Sequence, residues 1–294
     1  MKSTIFGART DRGGVRAENQ DAVYAQKLSV GGTARSRSPF SLLGRLGRRE
    51  RAEDMSEGIY LNAVCDGIGG LERGDLSSGV VVGEMGKWFD SLGTWVTQAS
   101  PDPEVLFSHL RDAAEEWNAV LMDTIRACGI RSGTTMSAVL TVGGTYGILH
   151  VGDSRIYRYR PTEGVGTKLL QLTEDECVFR LKDGRTRSFL ENFVGREDPL
   201  LFRFYTGELE CGDMLLACTD GFYHRLNESD VGTLYASLAM GASPESAIAA
   251  IADEMVARGE QDNLSASLLV FGGCVDENTQ GTAAAGFDPD ATLI

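Results

Sequence analysis

Apolar residues recur along this chain at two spacings, and each spacing predicts its own kind of element. Short apolar segments bounded by polar turns predict strands in residues 3–30, on either side of a turn at 11–14, and in residues 59–65. Apolar side chains three or four positions apart predict two helices, at residues 74–97 and 103–127, each with one buried face.

Strand-like segments dominate the rest of the chain, at residues 133–142, 146–151, 155–159, 168–172, 201–208 and 213–219. Residues 174–200 are polar, and we predict an irregular surface excursion there. Two helices follow, the second with Ser243 as N-cap and Pro244 at its first position, and residues 264–271 predict a last strand. This order, with mostly antiparallel connections, favours an α+β fold of two packed sheets with helix pairs outside.

Two segments depart from these patterns. Residues 33–57 include a locally basic segment, because positions 35–51 contain six arginines and a single acid, Glu50. We predict a solvated insert there, the alternative being a docking segment for an acidic partner or a membrane surface. Residues 272–294 carry four acids and no Lys or Arg, which predicts a disordered tail after one folded domain over residues 1–271.

The charge balance and the cysteines limit the function. A formal net charge of −14 argues against nucleic acid as a main partner, since phosphate backbones require a basic surface. No apolar run of about 18 residues and no signal-peptide stretch occur, so we expect a cytoplasmic monomer without an integral membrane segment. The six cysteines form no C-x-x-C pair and no C-x5-R cradle, and we interpret all of them as reduced and structural: Cys65, Cys128, Cys177, Cys211, Cys218 and Cys274.

Five aspartates stand at predicted strand ends beside Gly, Ser or Asn: Asp21, Asp66, Asp153, Asp220 and Asp262. Asp-Gly is a common turn dipeptide, but turn chemistry alone does not explain five such positions. Carboxylates gathered at one end of a sheet repel one another, and divalent cations would relieve that repulsion. The glycines after Asp66 leave backbone carbonyls accessible as further oxygen ligands for Mg²⁺ or Mn²⁺. Two such ions roughly 3.5–4 Å apart are the standard arrangement for attack on phosphate esters.

The same segments resemble, in their order along the chain, the type 2C metal-dependent serine/threonine protein phosphatases (PPM family), and in particular their bacterial branch. The resemblance covers roughly residues 3–271 and rests on GVRAENQD at 14–21, VCDGIGG at 64–70, SGTT at 132–135, VGDSR at 151–155, CTDG at 218–221 and DN at 262–263. It implies an αββα four-layer sandwich, with the metal centre in a cleft at one edge of the two sheets.

The resemblance also implies the metal ligands. Asp66 would bridge two ions, Mn²⁺ or Mg²⁺, and the backbone carbonyl of Gly67 would bind one of them. Asp220 and Asp262 would bind the other ion. Asp153 matches the acid that serves a third, weaker ion in bacterial members. A hydroxide bridging the two core ions would then attack phosphoserine or phosphothreonine of a protein substrate.

Three further residues match the family's catalytic or supporting positions. Arg16 would grip the substrate phosphate, a task that suits the guanidinium fork because it binds two phosphoryl oxygens at once. Asp21 would hold metal-bound water. Asn263 would orient Asp262 or cap the strand that follows. The implied partners are phosphorylated proteins, either substrates of a cognate serine/threonine kinase or that kinase itself.

The chain also departs from the family pattern. Gln20 and Leu71 stand where many relatives carry Glu and His, and Glu176 replaces the histidine at the entry to the flap segment, which matches poorly over residues 177–200. Among the histidines we expect His150 to be a satisfied core residue and His109 to lie far from the site. His224, four residues after Asp220, is the one candidate near it.

Two other classes of function stay open. A glycine-rich loop such as residues 66–70 also suits an ATP-binding regulatory kinase, although that interpretation has no use for Asp220 and Asp262. A non-catalytic protein of the same fold, which regulates or binds partners, is the other alternative.

Overall fold

The computed structural model describes residues 4–28, 58–68, 72–96, 102–161, 168–182, 185–197 and 200–273. The strands are β1 (Ile5–Asp11), β2 (Asp21–Lys27), β3 (Ile59–Asp66), β4 (Met136–Val142), β5 (Thr145–Val151), β6 (Arg155–Arg160), β7 (Lys168–Gln171), β8 (Cys177–Lys182), β9 (Arg185–Leu190), β10 (Arg203–Glu208), β11 (Met214–Cys218) and β12 (Leu264–Val270). The helices are α1 (Gly74–Trp95), α2 (Pro103–Cys128), α3 (Asp220–Tyr223), α4 (Glu228–Ala239) and α5 (Pro244–Ala257), and a 3-10 turn follows at Phe271–Gly273. The predicted basic insert and the predicted tail from residue 274 onward lie outside the described residues.

Two five-stranded antiparallel sheets form the centre of the fold. Sheet 1 has the strand order β1-β12-β11-β6-β7, and sheet 2 has the order β10-β5-β4-β3-β2. Helices α1 and α2 pack on the outer face of sheet 2, and α4 and α5 pack on the outer face of sheet 1. The predicted α+β sandwich of four layers is therefore confirmed.

The central strands are apolar on both faces because both faces are covered. In β3, for example, Leu61 and Cys65 contact the helix layer, while Tyr60 and Val64 contact sheet 1. This alternation follows from the two-residue period of a strand. Asn62 also faces sheet 1, where its side-chain nitrogen donates to Ser267 Oγ at 2.8 Å, so a polar contact lies within the core between the sheets.

The first and last strands of the domain are neighbours. Strand β1 pairs with β12 from Ile5 opposite Val270 to Asp11 opposite Leu264. Strand β12 is thus inserted between β1 and β11, and it brings the residues that precede it to the same edge as the loop after β1.

Three sequence-based expectations are wrong. Residues 174–200 are not irregular, because β8 and β9 form a two-stranded sheet there. A one-turn helix, α3, precedes the two helices expected after residue 219. Cys211 is disulfide-bonded rather than reduced, and its partner lies outside the described residues. The sequence gives no sign that the turn holding Cys211 lies against the segment after β12, where its sulfur is 3.5 Å from the Gly272 carbonyl oxygen.

The predicted capping of α5 is confirmed, since Ser243 Oγ accepts from the backbone N–H of Ser246 at 3.2 Å. None of the helices in the described ranges combines the length and apolar character that a bilayer crossing requires.

Candidate metal centre

Asp21 and Asp66 lie side by side at one end of sheet 2. They are register partners in the β2–β3 pair. Asp21 is buried, and its Oδ2 accepts from the Thr219 hydroxyl at 2.9 Å. Burial is the largest cause that raises the pKa of Asp21 to about 7. Thr219 directly follows β11 of sheet 1, whereas Asp21 belongs to sheet 2. This hydrogen bond therefore connects the two sheets at the site.

The backbone around Asp66 is held from three directions. Its N–H donates to Thr135 Oγ1 at 2.9 Å, and its carbonyl accepts from Thr134 Oγ1 at 2.8 Å. The N–H of Gly67 donates to the Gln20 carbonyl at 3.0 Å. A Cβ at position 67 would lie 2.4 Å from the backbone carbonyl of Gly74, so only glycine fits this close approach.

Asp220 and Asp262 come from sheet 1. Asp220 begins α3 two residues after the end of β11, and Asp262 stands two residues before β12, the strand paired with β11. The two loops touch closely, because a Cβ on Gly221 would lie 2.1 Å from the Asn263 carbonyl oxygen. Burial raises the pKa of Asp220, the charge of Asp262 raises it further, and His224 opposes the rise.

The five predicted carboxylates lie near enough to one another for their charges to interact. Burial, followed by the charges of Asp21, Asp220, Asp153 and Asp262, raises the pKa of Asp66 well above its ordinary value. Asp153, in the loop between β5 and β6, has its pKa raised to about 6 by burial and then by Asp220. The structure therefore brings all five acids together from both sheets, as the strand-end pattern predicts.

Arg16 reaches this site from the loop between β1 and β2. Its Nη2 lies 2.5 Å from Asp262 Oδ2, and this hydrogen bond is the main cause that raises the pKa of the guanidinium. The side chain is 45% exposed, which leaves part of the guanidinium accessible to a ligand.

Asn263 has a role that the sequence did not reveal. Its Oδ1 accepts from the Gln20 N–H at 3.0 Å, and its Nδ2 donates to the carbonyls of Arg12 at 2.8 Å and Glu18 at 3.0 Å. The side chain thus fastens both ends of the loop that carries Arg16. Its backbone N–H donates to Asp262 Oδ1 at 2.8 Å, which agrees with the expected orientation of that carboxylate.

The histidines lie where the sequence predicts. His150 is buried, with Nδ1 2.8 Å from Ser137 Oγ and Nε2 2.9 Å from the Glu174 carbonyl, and burial lowers its pKa. His109 lies on the exposed side of α2, and His224 is the histidine whose charge acts on both Asp153 and Asp220.

The residues present fit divalent cations by their chemistry. Within the described ranges, no three His, Cys, Asp or Glu side chains are arranged closely enough to form a ready metal site. However, the donors are all carboxylate oxygens, and burial followed by the charges of neighbouring carboxylates raises the pKa values of Asp66 and Asp220. Hard cations such as Mg²⁺ and Mn²⁺ prefer oxygen donors and would relieve this repulsion.

Comparison with solved structures finds proteins of the same fold. The S. agalactiae serine/threonine phosphatase has a TM-score of 0.67 at 20% identity, over 90% of this chain and 98% of that chain. The catalytic domain of PstP in complex with two manganese ions has a TM-score of 0.59 at 22% identity, over 91% of this chain and 97% of that chain.

Comparison of sequences identifies the family of this chain. A curated relative, the serine/threonine protein phosphatase PstP of Mycobacterium tuberculosis, is 27% identical over 237 residues, which are 77% of this chain. The match spans only 38% of that relative's length. The family model described as Protein phosphatase 2C matches residues 51–269, well over half of this chain. The protein therefore belongs to the protein phosphatase 2C family.

Proposed function

We propose that the protein hydrolyses phosphoserine and phosphothreonine in proteins with the help of bound Mn²⁺ or Mg²⁺. The observation that carries this proposal is the convergence of buried, mutually repelling carboxylates from both sheets. The relative PstP is named a serine/threonine protein phosphatase, and its catalytic domain is known in complex with two manganese ions. The ATP-binding kinase alternative conflicts with the family, and it leaves the gathering of Asp220 and Asp262 unexplained.

Four groups of this chain would hold the core cations: the carboxylates of Asp66, Asp220 and Asp262 and the carbonyl of Gly67. Asp153 would serve a third, weaker ion. Bound cations would lower the pKa of the attacking water and neutralise charge on the phosphoryl oxygens. Asp66 would be the ligand shared between the ions, since it is the register partner of Asp21 in sheet 2 and the charge of Asp220 from sheet 1 acts on it.

The remaining groups orient the reactants. Asp21, held by the Thr219 hydroxyl, would accept a hydrogen bond from the attacking water and direct it at phosphorus. Arg16 would bind two phosphoryl oxygens, after exchanging its contact with Asp262 for the substrate. Water then displaces the serine or threonine oxygen, which leaves with a proton. Among the histidines, His224 is the candidate to donate that proton, because it follows Asp220 by four residues.

The test measures hydrolysis of phosphoserine and phosphothreonine peptides with Mn²⁺, with Mg²⁺ and with a chelator. We expect turnover that requires a metal and disappears in Asp66→Asn. If the wild-type protein binds Mn²⁺ and phosphopeptides but turns over neither peptide, the non-catalytic alternative is correct.

A further inference from the structure

Helix α3 is a single turn that carries a candidate metal ligand at one end and a buried tyrosine at the other. Its first residue is Asp220, and its last residue is Tyr223, which is 8% exposed. The backbone N–H of Tyr223 donates to the Thr219 carbonyl at 3.1 Å. The N–H of the next residue, His224, donates to the Asp220 carbonyl at 2.9 Å. These hydrogen bonds set the position of Tyr223 relative to Asp220.

The hydroxyl of Tyr223 reaches the loop that carries another candidate ligand. It donates to the backbone carbonyl of Asp153 at 2.9 Å, between residues that are 70 positions apart in the chain. A buried tyrosine hydroxyl needs a hydrogen-bond partner, and any nearby acceptor would satisfy it. Here the acceptor is the peptide group of Asp153, so the hydrogen bond fixes the backbone from which that carboxylate extends.

Arg155 holds the ring of Tyr223 in place. The central carbon of its guanidinium lies 3.9 Å from the centroid of the ring, which is a cation–π contact. The guanidinium is fixed in turn, because it donates to both carboxylate oxygens of Asp175, at 2.9 and 2.7 Å, and to the Tyr157 hydroxyl at 3.0 Å. Tyr223 is thus restrained both by its backbone and by the contact on the face of its ring.

The residues on either side of Asp153 are held by other contacts. Ser154 Oγ lies 2.7 Å from Thr135 Oγ1, and the Gly152 carbonyl accepts from the Glu176 N–H at 2.8 Å. Neither contact involves helix α3. Within the part of the chain that the structure describes, only the Tyr223 hydroxyl donates to the carbonyl of Asp153. This hydrogen bond therefore connects the peptide group of Asp153 to the turn that carries Asp220.

Electrostatic repulsion between Asp153 and Asp220 opposes this arrangement. After burial, the charge of Asp220 is the largest cause that raises the pKa of Asp153 to about 6. Repulsion between two ionised carboxylates favours a loop that moves away from helix α3. The Tyr223 hydroxyl opposes that movement, because it belongs to the same turn as Asp220 and holds the backbone of Asp153. A site whose ligands are already in place binds an ion more tightly than one that has to be ordered first.

We propose that Tyr223 is a positioning residue, which holds Asp153 beside Asp220 and thereby strengthens binding of the third, weaker ion. The inference rests on the proposed function, because it specifies how one ion site of that function is formed. In this role Tyr223 acts through the peptide group of Asp153 and touches neither the ion nor the substrate. The two core ions do not depend on Asp153, and the backbone hydrogen bonds of α3 do not involve the hydroxyl. Loss of the hydroxyl should therefore weaken the third site alone.

The test measures binding of Mn²⁺ to the metal-free full-length protein by isothermal titration calorimetry. Tyr223→Phe keeps the ring and its contact with Arg155, and it removes only the hydroxyl. We expect the Kd of the weak site to rise roughly twofold to tenfold, the contribution of one neutral hydrogen bond, while the Kd values of the tight sites stay unchanged. A wild-type protein without a weak third site, or a Tyr223→Phe protein with the wild-type Kd at that site, overturns the inference.

The matched control is Tyr159→Phe, which removes a hydroxyl from the same apolar cluster at the far end of β6 and should leave every Kd unchanged. A second comparison adds Tyr223→Phe to Asp153→Asn. If the hydroxyl acts through the Asp153 carboxylate, this addition should cause no further change in Mn²⁺ binding. A further loss in that background, at any site, would make Tyr223 a general support of the fold and would overturn the inference. Absence of phosphopeptide turnover rejects the proposed function alone, since these Kd values do not depend on turnover.

Discussion

Replacing Gly67 by alanine is the sharpest test of how the carboxylate site is built. The added Cβ would lie 2.4 Å from the carbonyl carbon and oxygen of Gly74 and 2.6 Å from the carbonyl oxygen of Gln20. Optimal separations between such atoms are about 3.5–4.0 Å, so the backbone has to move by on the order of 1 Å. All three atoms belong to the backbone, and no side-chain rotation can relieve the contact.

The expected cost follows from two contributions. Overpacking of this kind costs about 1–3 kcal/mol, and weakening of the hydrogen bond from Gly67 to Gln20 adds about 1 kcal/mol. For a domain of this size each kcal/mol lowers Tm by roughly 2–4 °C, so we expect Gly67→Ala to lower Tm by roughly 4–16 °C. The displacement also moves Asp66 against Asp21, which should weaken Mn²⁺ binding.

Gly79→Ala provides the matched control, because a Cβ at this position in α1 meets nothing within 4 Å. Alanine is the better helix former, so this variant should gain about 0.5–1 kcal/mol in stability. Thermal unfolding followed by circular dichroism measures both variants, and titration with Mn²⁺ measures metal affinity. A Gly67→Ala protein with wild-type Tm and wild-type Mn²⁺ affinity would refute the close-approach reasoning.

Three further predictions concern single side chains. Asp66→Asn should abolish turnover. It should not lower the Tm of the metal-free protein, because it removes one charge from a cluster of repelling carboxylates. Near wild-type activity at saturating Mn²⁺ would refute the two-metal assignment. Arg16→Ala should raise KM for phosphopeptides far more than it weakens Mn²⁺ binding, and the reverse pattern would make Arg16 structural. Burial lowers the pKa of His150 in the folded state, so the wild type loses folding stability as pH falls from 6.5 towards that lowered pKa. Glutamine takes up no proton, so His150→Gln should lose less stability over the same pH range. Tm measured from pH 7.5 to 5.5 checks this, and parallel curves would contradict it.

The sequence predicted the candidate metal ligands because the same local pattern, an aspartate near a strand end, recurs at each of them. Asp21 begins a strand, Asp66 ends one, and the other three aspartates lie within two residues of a strand end, so the pattern identifies the acids. The role of Asn263 was not predictable in full, because its partners Arg12, Glu18 and Gln20 are more than 240 positions away in the chain. No local spacing reports such a contact.

The β8–β9 hairpin was missed for a different physical reason. Strand prediction relies on one buried apolar face, whereas Phe179 and Leu181 are exposed and, among the strands that the structure describes, β8 pairs with β9 alone. Without a buried face, the alternation of residues in β8 is indistinguishable from that of a polar loop. The function of the insert at residues 33–57 stays a prediction, since it lies outside the described residues.

The pairing of β1 with β12 determines when the protein can become active during its synthesis. Arg16 and Asp262 are 246 positions apart, and a ribosome that adds 5–20 residues per second needs about 12–50 s to cover that distance. Throughout this interval β1 lacks its partner strand, and β11, once it has been synthesised, lacks one of its two neighbours. The nascent chain therefore exposes unpaired strand edges, which makes it dependent on protection from aggregation. The candidate metal centre is also incomplete until Asp262 has left the ribosome, so the proposed activity would begin only after that point.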